Sequence, residues 1–279
     1  MKIGIVGLGL MGGSFAKALK KYTSHEVYAY DIDYSLLHLG VREGSINQVL
    51  NQGLIFDCDL IVLAVMPEVA IQFVKDNGPM IKGTVLDFCG VKRVMEKGIL
   101  PIAKERGFKY LGGHPMAGRE RGGYENSVAD LFQGASMIFV ENETSQGEGK
   151  NWEELFRRVG FEQIKYSSSE DHDRILAYTS QLAHVVSNSF VQSETHNEEY
   201  GYSADSLRDL TRVATLDVDM WTKLFFYNKD FLVEEVRRIS DQLSQYAEAI
   251  EKKDEKSLKE MLTKGVLAKK EMEERRKKQ

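Results

Sequence analysis

The feature that most constrains this chain is its first turn. A β-branched run, Lys2–Val6, passes directly into Gly7-Leu8-Gly9-Leu10-Met11-Gly12-Gly13-Ser14, and a helical pattern follows at once. Glycines at 7, 9 and 12 have the G-x-G-x-x-G spacing. The first permits a tight turn, the second lets backbone approach a pyrophosphate, and the third lets helix and strand pack closely. The following helix turns its free N–H groups and positive dipole end toward the phosphates. A glycine-rich turn can also be purely structural. Here, however, a second strand run ends at Asp31, 19 residues after Gly12, where a carboxylate meets the adenosine ribose hydroxyls and repels a 2′-phosphate. The spacing therefore predicts NAD held along Gly7, Leu8, Gly9, Leu10, Met11 and Gly12, with Asp31 on the ribose. Val65 and Met66, closing a later apolar run, are expected beside the nicotinamide ribose.

Behind this turn, strand-like runs at residues 2–6, 26–30, 60–65, 84–88, 110–112 and 137–140 alternate with helical stretches such as 14–20 and 93–106. That alternation predicts right-handed βαβ crossovers and a doubly wound parallel sheet of Rossmann type, an α/β fold. The run from Leu60 to Val65 is apolar throughout, as a strand covered on both faces must be. Residues 141–150 read as a loop. After Tyr166 the strand pattern stops, Ser167-Ser168-Ser169-Glu170-Asp171 offers N-caps, and helical periodicity continues to the end. The expected domains are 1–165 and 166–279. Leu232, Val236, Ile239, Leu243, Tyr246 and Ile250 form one apolar stripe that needs other helices or a partner subunit. The tail beyond Lys252 reads as a solvated helix with one apolar face.

Composition narrows the partners. The 279 residues carry a formal charge of −5, which gives no support to nucleic-acid binding. No apolar run reaches the ~18 residues of a membrane span. Strand pattern begins at Lys2, leaving no room for a signal peptide, and Cys58 and Cys89 make no disulfide framework. A cytoplasmic protein is expected. No set of histidines, cysteines and carboxylates has metal-ligand spacing.

Six histidines are present. His25, His38 and His196 sit in polar surroundings and read as surface residues. His114 lies in Gly112-Gly113-His114-Pro115-Met116-Ala117-Gly118, placed as a loop beyond a strand end, where open α/β sheets bind ligands. An imidazole there can accept a proton from a substrate hydroxyl, or can be structural. Ser180 and His184 are four apart and share a helical face, with a satisfied buried histidine as the plain alternative. His172-Asp173 follows the N-cap run, where capping competes with chemistry. Arg208 and Arg212 are also four apart, suited to carboxylates or to an intrahelical ion-pair face, with Asp209 available to orient one of them. Trp221, Phe225 and Phe226 read as core.

At these residues the chain resembles the prephenate/arogenate dehydrogenase family of tyrosine biosynthesis. The resemblance runs from the glycine loop through Gly113-His114-Pro115-Met116-Ala117-Gly118, His172-Asp173 and Ser180-Gln181-Leu182-Ala183-His184 to Arg208-Asp209-Leu210-Thr211-Arg212. It implies a nucleotide-binding domain, a helical C-terminal dimerisation domain and a homodimer. It also implies His114 as catalytic residue and His184 and Arg212 as substrate ligands. The implied reaction is NAD-dependent oxidative decarboxylation of prephenate to 4-hydroxyphenylpyruvate. Hydride leaves ring C4, the C4 hydroxyl loses its proton, and loss of the ring carboxylate as CO2 makes the ring aromatic. Two departures stand out. Gly90 replaces a serine of the family pattern Asp-x-x-Ser-x-Lys, here Asp87-Phe88-Cys89-Gly90-Val91-Lys92, and Gln181 and Ala183 interrupt Ser-His-Leu-Pro-His. Arogenate is the nearest alternative substrate, with Arg119, Glu120 and Arg121 as the segment that decides between the two. A β-hydroxyacid dehydrogenase would need a helical catalytic lysine signature that the sequence lacks. A non-catalytic NAD sensor would draw its support from Gly90. Neither a fused mutase nor a regulatory domain is expected.

Overall fold

The structure is a computed structural model that describes residues 1–119, 121–202 and 204–277. The first half alternates as β1 (Lys2–Val6), α1 (Leu10–Tyr22), β2 (Glu26–Tyr30), α2 (Tyr34–Arg42), β3 (Gln48–Val49) and α3 (Gln52–Asp57). It continues through β4 (Leu60–Leu63), α4 (Pro67–Asn77), β5 (Thr84–Asp87), α5 (Arg93–Arg106) and β6 (Lys109–Pro115). Then come β7 (Ser136–Val140), α6 (Glu148–Arg158) and β8 (Gln163–Ser167). Among the described residues the eight strands form one sheet in the order β3-β2-β1-β4-β5-β6-β7-β8.

Every neighbouring pair is parallel except β6 and β7, which run antiparallel from Gly112↔Val140 to Pro115↔Met137. The doubly wound parallel sheet expected from the alternation is borne out, with this one antiparallel pair within it. Among the described residues the β6–β7 connection holds a short 3₁₀ turn, Tyr124–Asn126, and no crossover helix, so β7 returns beside β6 in the opposite sense. The loop expected over 141–150 ends early, because α6 begins at Glu148 with Gly147 as its left-handed N-cap.

Strand side chains feed two cores, one per face. Ile3, Ile5, Leu60, Val62 and Leu86 meet α1 and α6 through Phe15, Leu19 and Phe156. Val6, Ile61, Leu63 and Val85 meet α4 and α5 through Val74, Met95 and Ile99. All four residues of β4 are buried, as its unbroken apolar run predicts. Phe15 lies between Phe88 and Phe156, with ring centroids at 5.2 and 5.5 Å, which locks α1 under the strand ends.

Among the described residues only helices follow β8, first α7 (Ser169–Leu176), α8 (Leu182–Phe190), α9 (Asp205–Thr211) and α10 (Val218–Tyr227), with a π-helical turn at Ala177–Gln181 between α7 and α8. The chain divides into two compact units, Met1–Lys229 and Asp230–Gln279. The second contains most of α11 (Lys229–Glu251) and all of α12 (Glu255–Lys277). On the α11 stripe Leu243 and Ile250 are both 61% exposed.

The glycine turn has a strict steric logic. Gly7 has φ +93°, and a Cβ on Gly12 would lie 1.9 Å from the Gly7 carbonyl oxygen, whereas one on Gly9 would meet nothing within 4 Å. Gly12→Ala should therefore lower the melting temperature, at a cost of about 1–3 kcal/mol for forcing backbone apart. Gly9→Ala should melt with the parent protein. Calorimetry on the pair checks this, and equal melting temperatures for all three proteins would contradict the packing described.

Candidate functional site

The carboxyl ends of β1, β4, β5 and β6 bring the glycine turn, Val65, Gly90 and His114 to one edge of the sheet. At the turn, Leu8 N–H donates to Asp31 Oδ2 (2.7 Å) and Asp33 N–H to Asp31 Oδ1 (2.9 Å). Asp31 thus shapes the loop and keeps unused lone pairs. Gly9 is the N-cap of α1 and supplies no side chain to its first N–H groups. Those orphan donors, together with the open space over Gly9, make an anion cradle. Beside it opens a cavity of about 600 Å³ with largely apolar walls that include Ile32, Leu50, Val69 and Phe73. A cradle for phosphate, a carboxylate at the strand end and an apolar slot next to it fit a dinucleotide. Val65 accepts a hydrogen bond from Cys89 Sγ on its carbonyl (3.2 Å), and Met66 is the N-cap of α4, followed by Pro67.

His114 does not lie beyond a strand, as the sequence suggests, but is the sixth residue of β6. Glycine-rich Gly112-Gly113 conceals the strand, because its β pattern is carried by backbone pairing. His114 Nδ1 lies 2.9 Å from His172 Nε2, and His172 Nδ1 lies 2.8 Å from Asp173 Oδ1. Asp173 does cap a helix, but that helix is α5 and not its own: its oxygens accept from the N–H groups of Lys92 (2.8 Å) and Arg93 (2.9 Å). The α7 N-cap is Ser168. Beneath His114, Lys92 is buried at 1% exposure and bonds both Asp87 and the Gly113 carbonyl. Tyr110 donates to the other oxygen of Asp87 (2.8 Å). A Cβ at Gly90 would sit 3.9 Å from His114 Nε2, so that nitrogen faces an open position.

The second cluster centres on His184. Its Nδ1 lies 2.9 Å from the Val213 carbonyl, and its ring centroid lies 3.7 Å from that of Trp221. Trp221 therefore packs against a site histidine with the ring planes 40° apart, and Phe226 is 71% exposed, which corrects their expected place in the core. The helical pattern of α10 is apolar on more than one face, so sequence could not say which face is covered. Arg212 stands one residue past the end of α9, and its charge acts on His184. Arg208 pairs with Asp205 and is exposed. Ser180 lies in the π-helical turn, one turn before His184. Gln181 donates to the Leu224 carbonyl (3.2 Å) and accepts from Asn228 (2.7 Å), which also donates to the Asp173 carbonyl (2.8 Å). Glu68 at the start of α4 pairs with Lys223 and accepts from Tyr227 (3.0 Å), joining the cavity wall to α10. Arg119 donates to the Asn126 carbonyl (3.2 Å), and Glu120 lies outside the described residues.

Sequence reading missed Lys92, Asp87 and Asn228 as members of the cluster. The available signal was a lysine and an aspartate inside apolar surroundings, positions that stay buried only when paired.

An α/β unit with an anion cradle at its glycine turn and a half-buried histidine at its ligand edge is thus in place. Residues 15–164 match the prephenate dehydrogenase nucleotide-binding domain, and residues 168–264 match the prephenate dehydrogenase dimerization domain. The chain belongs to the prephenate dehydrogenase family. It is 26% identical to prephenate dehydrogenase of Lactococcus lactis over 276 residues, covering 95% of this chain and 75% of that protein. It is 26% identical to cyclohexadienyl dehydrogenase of Zymomonas mobilis over 273 residues, covering 90% and 89%. Its fold is similar to that of A. aeolicus prephenate dehydrogenase solved with hydroxyphenyl propionate and NAD+, with TM-score 0.85, 27% identity and 98% of each chain covered. Among the described residues no helix is long and apolar enough to cross a membrane.

Burial above all, joined by the neighbouring His172 ring and the Lys92 cation, holds the His114 imidazolium well below its usual range. Burial lowers His172 against the opposing pull of Asp173, and burial lowers His184 with help from Arg212. Between these depressed values and the unfolded value near 6.5, the unfolded chain binds more protons than the folded one, so stability falls as pH falls. The melting temperature should drop between pH 7.5 and 5.5, a window above the titration of the carboxylates. A flat series of melts would contradict neutral burial of these rings.

Proposed function

We propose that this chain catalyses the NAD-dependent oxidative decarboxylation of prephenate to 4-hydroxyphenylpyruvate. The observation that carries the reading is His114. It stands at the ligand edge of the sheet, bonded at Nδ1 to a buried partner, kept neutral by its surroundings, and open at Nε2. A bound NAD would supply the hydride acceptor for ring C4. His114 Nε2 accepts the C4 hydroxyl proton as the carbonyl forms. The ring carboxylate then leaves as CO2, its bonding electrons complete the aromatic ring, and the proton returns from His114 to the phenolic oxygen. Arg212, with His184 beside it, holds a substrate carboxylate so that C4 faces the cofactor. Ser180 and Arg208 flank this subsite. Gly7, Leu8, Gly9, Leu10, Met11 and Gly12 cradle the pyrophosphate, Asp31 takes the ribose, and Val65 and Met66 border the nicotinamide half.

Residues 1–165 serve the cofactor and 166–279 the substrate and a partner subunit, in a cytoplasmic homodimer. The match to a dimerization domain and the exposed α11 stripe support the dimer. NADH formation measured with prephenate, arogenate and a β-hydroxyacid tests the substrate, and turnover with prephenate alone or foremost is expected. Preference for arogenate would move the assignment to that substrate, and turnover of neither would remove it. With prephenate, His114→Asn should lower kcat roughly 10²–10⁴-fold while NAD affinity holds. Arg212→Ala should raise KM about 10–100-fold, the loss of a charge-assisted hydrogen bond, with kcat less affected. A normal KM would remove its role at the carboxylate.

A further inference from the structure

The nitrogen of His114 that can act as a base is decided outside His114. A neutral imidazole carries one proton, on Nδ1 or on Nε2, and only the bare nitrogen can accept another. Asp173 starts the chain of decisions. Its two oxygens accept from Lys92 N–H, Arg93 N–H and Arg93 Nε–H, at 2.8, 2.9 and 3.3 Å. These groups can only donate, so Asp173 presents acceptors alone. His172 Nδ1, 2.8 Å away, must then carry its proton toward Asp173. A neutral His172 is left with a lone pair on Nε2, and that lone pair accepts from His114 Nδ1 at 2.9 Å. His114 Nε2 is therefore bare, and it is the nitrogen that faces the open position over Gly90.

We propose that Asp173 is a positioning residue: acting through His172, it fixes the His114 proton on Nδ1 and so makes Nε2 the base. This rests on the reading of His114 as the proton acceptor. The same carboxylate caps α5, whose first residues adjoin Lys92 and its bond to the Gly113 carbonyl. The tautomer and the backbone position of His114 thus share one anchor. When Nε2 accepts the substrate proton, His114 keeps donating from Nδ1 to His172, and the new positive charge lies at the end of a line that terminates in a carboxylate. No proton need leave Asp173 or His172 for the step to balance.

The test is a double-mutant cycle in the 279-residue chain, with prephenate and NAD. Asp173→Asn places an amide where only acceptors fit. It should lower kcat about 10²–10⁴-fold, as reversal of a base's tautomer does. Made in the His114→Asn background, the same change should cost less than threefold, because the ring it orients is gone. An equal loss in both backgrounds would show that Asp173 serves only the fold and would overturn the inference. His172→Phe runs through the same cycle, leaves the α5 cap in place, and decides the matter if Asp173→Asn does not fold. Nitrogen chemical shifts of the imidazoles give a readout that general destabilisation does not move. The inference expects His114 protonated on Nδ1, and protonation on Nε2 in the parent protein would overturn it. Should His114→Asn itself leave kcat unchanged, the base reading falls and this inference with it. A low kcat in His114→Asn with equal Asp173 costs removes this inference alone.

Discussion

The arrangement hangs on one buried cation. Lys92 has almost no contact with water, and Asp87, its partner, has none. Taking such a pair out of water costs several kcal/mol per ion, repaid only where the remaining hydrogen-bond capacity is also used. Here it is used: Asp87 also receives Tyr110 O–H and the Cys89 N–H, while Lys92 also reaches the Gly113 carbonyl. Removing one member of a pair like this costs roughly 3–5 kcal/mol, since the other is left charged and dry. The pair is an expensive way to hold β5 against β6. What it achieves is position, since the strand it grips carries His114 as its next residue.

The same segment joins the helices to the sheet. The first N–H groups of α5 point at Asp173 on α7, so the helix dipole and two orphan donors are satisfied by a residue about 80 positions away. Asn228 and Gln181 extend the contact toward α8 and α10, which bear His184 and Trp221. Polar groups this deeply buried are worth most when every partner is present, and each link here is matched.

Sequence made the cofactor half legible because its signals are local. The glycine spacing and the apolar β4 run each act within a few residues of themselves, and Asp31, which bonds Leu8 across one strand–helix–strand unit, stands at the fixed distance that unit imposes. β3 has two residues, Gln48 and Val49, too few for any period to show, and β8 is an edge strand whose Gln163, Lys165 and Ser167 read as polar surface. The antiparallel turn of β7 depended on what the preceding connection lacked. The cluster around His114 was legible only as separate pieces. His114 and His172 are 58 residues apart, and nothing in either neighbourhood names the other. Capping was the right chemistry for Asp173 and the wrong helix, because a side chain's nearest N–H groups in space need not be nearest in the chain.

The two outer glycines of the first turn have a bearing on descent. A side chain at Gly7 would strike Val65 and the Ala64 carbonyl, while one at Gly12 would strike Gly7 itself. Each position is closed by backbone, which cannot move aside by repacking. Gly9 is closed by nothing in the protein. Lineages that lost the need for a bound nucleotide could let Gly9 drift at once, yet would keep Gly7 and Gly12 for as long as they kept the sheet. A surviving outer pair around a replaced middle glycine would thus mark a descendant that retained this architecture after giving up its cofactor.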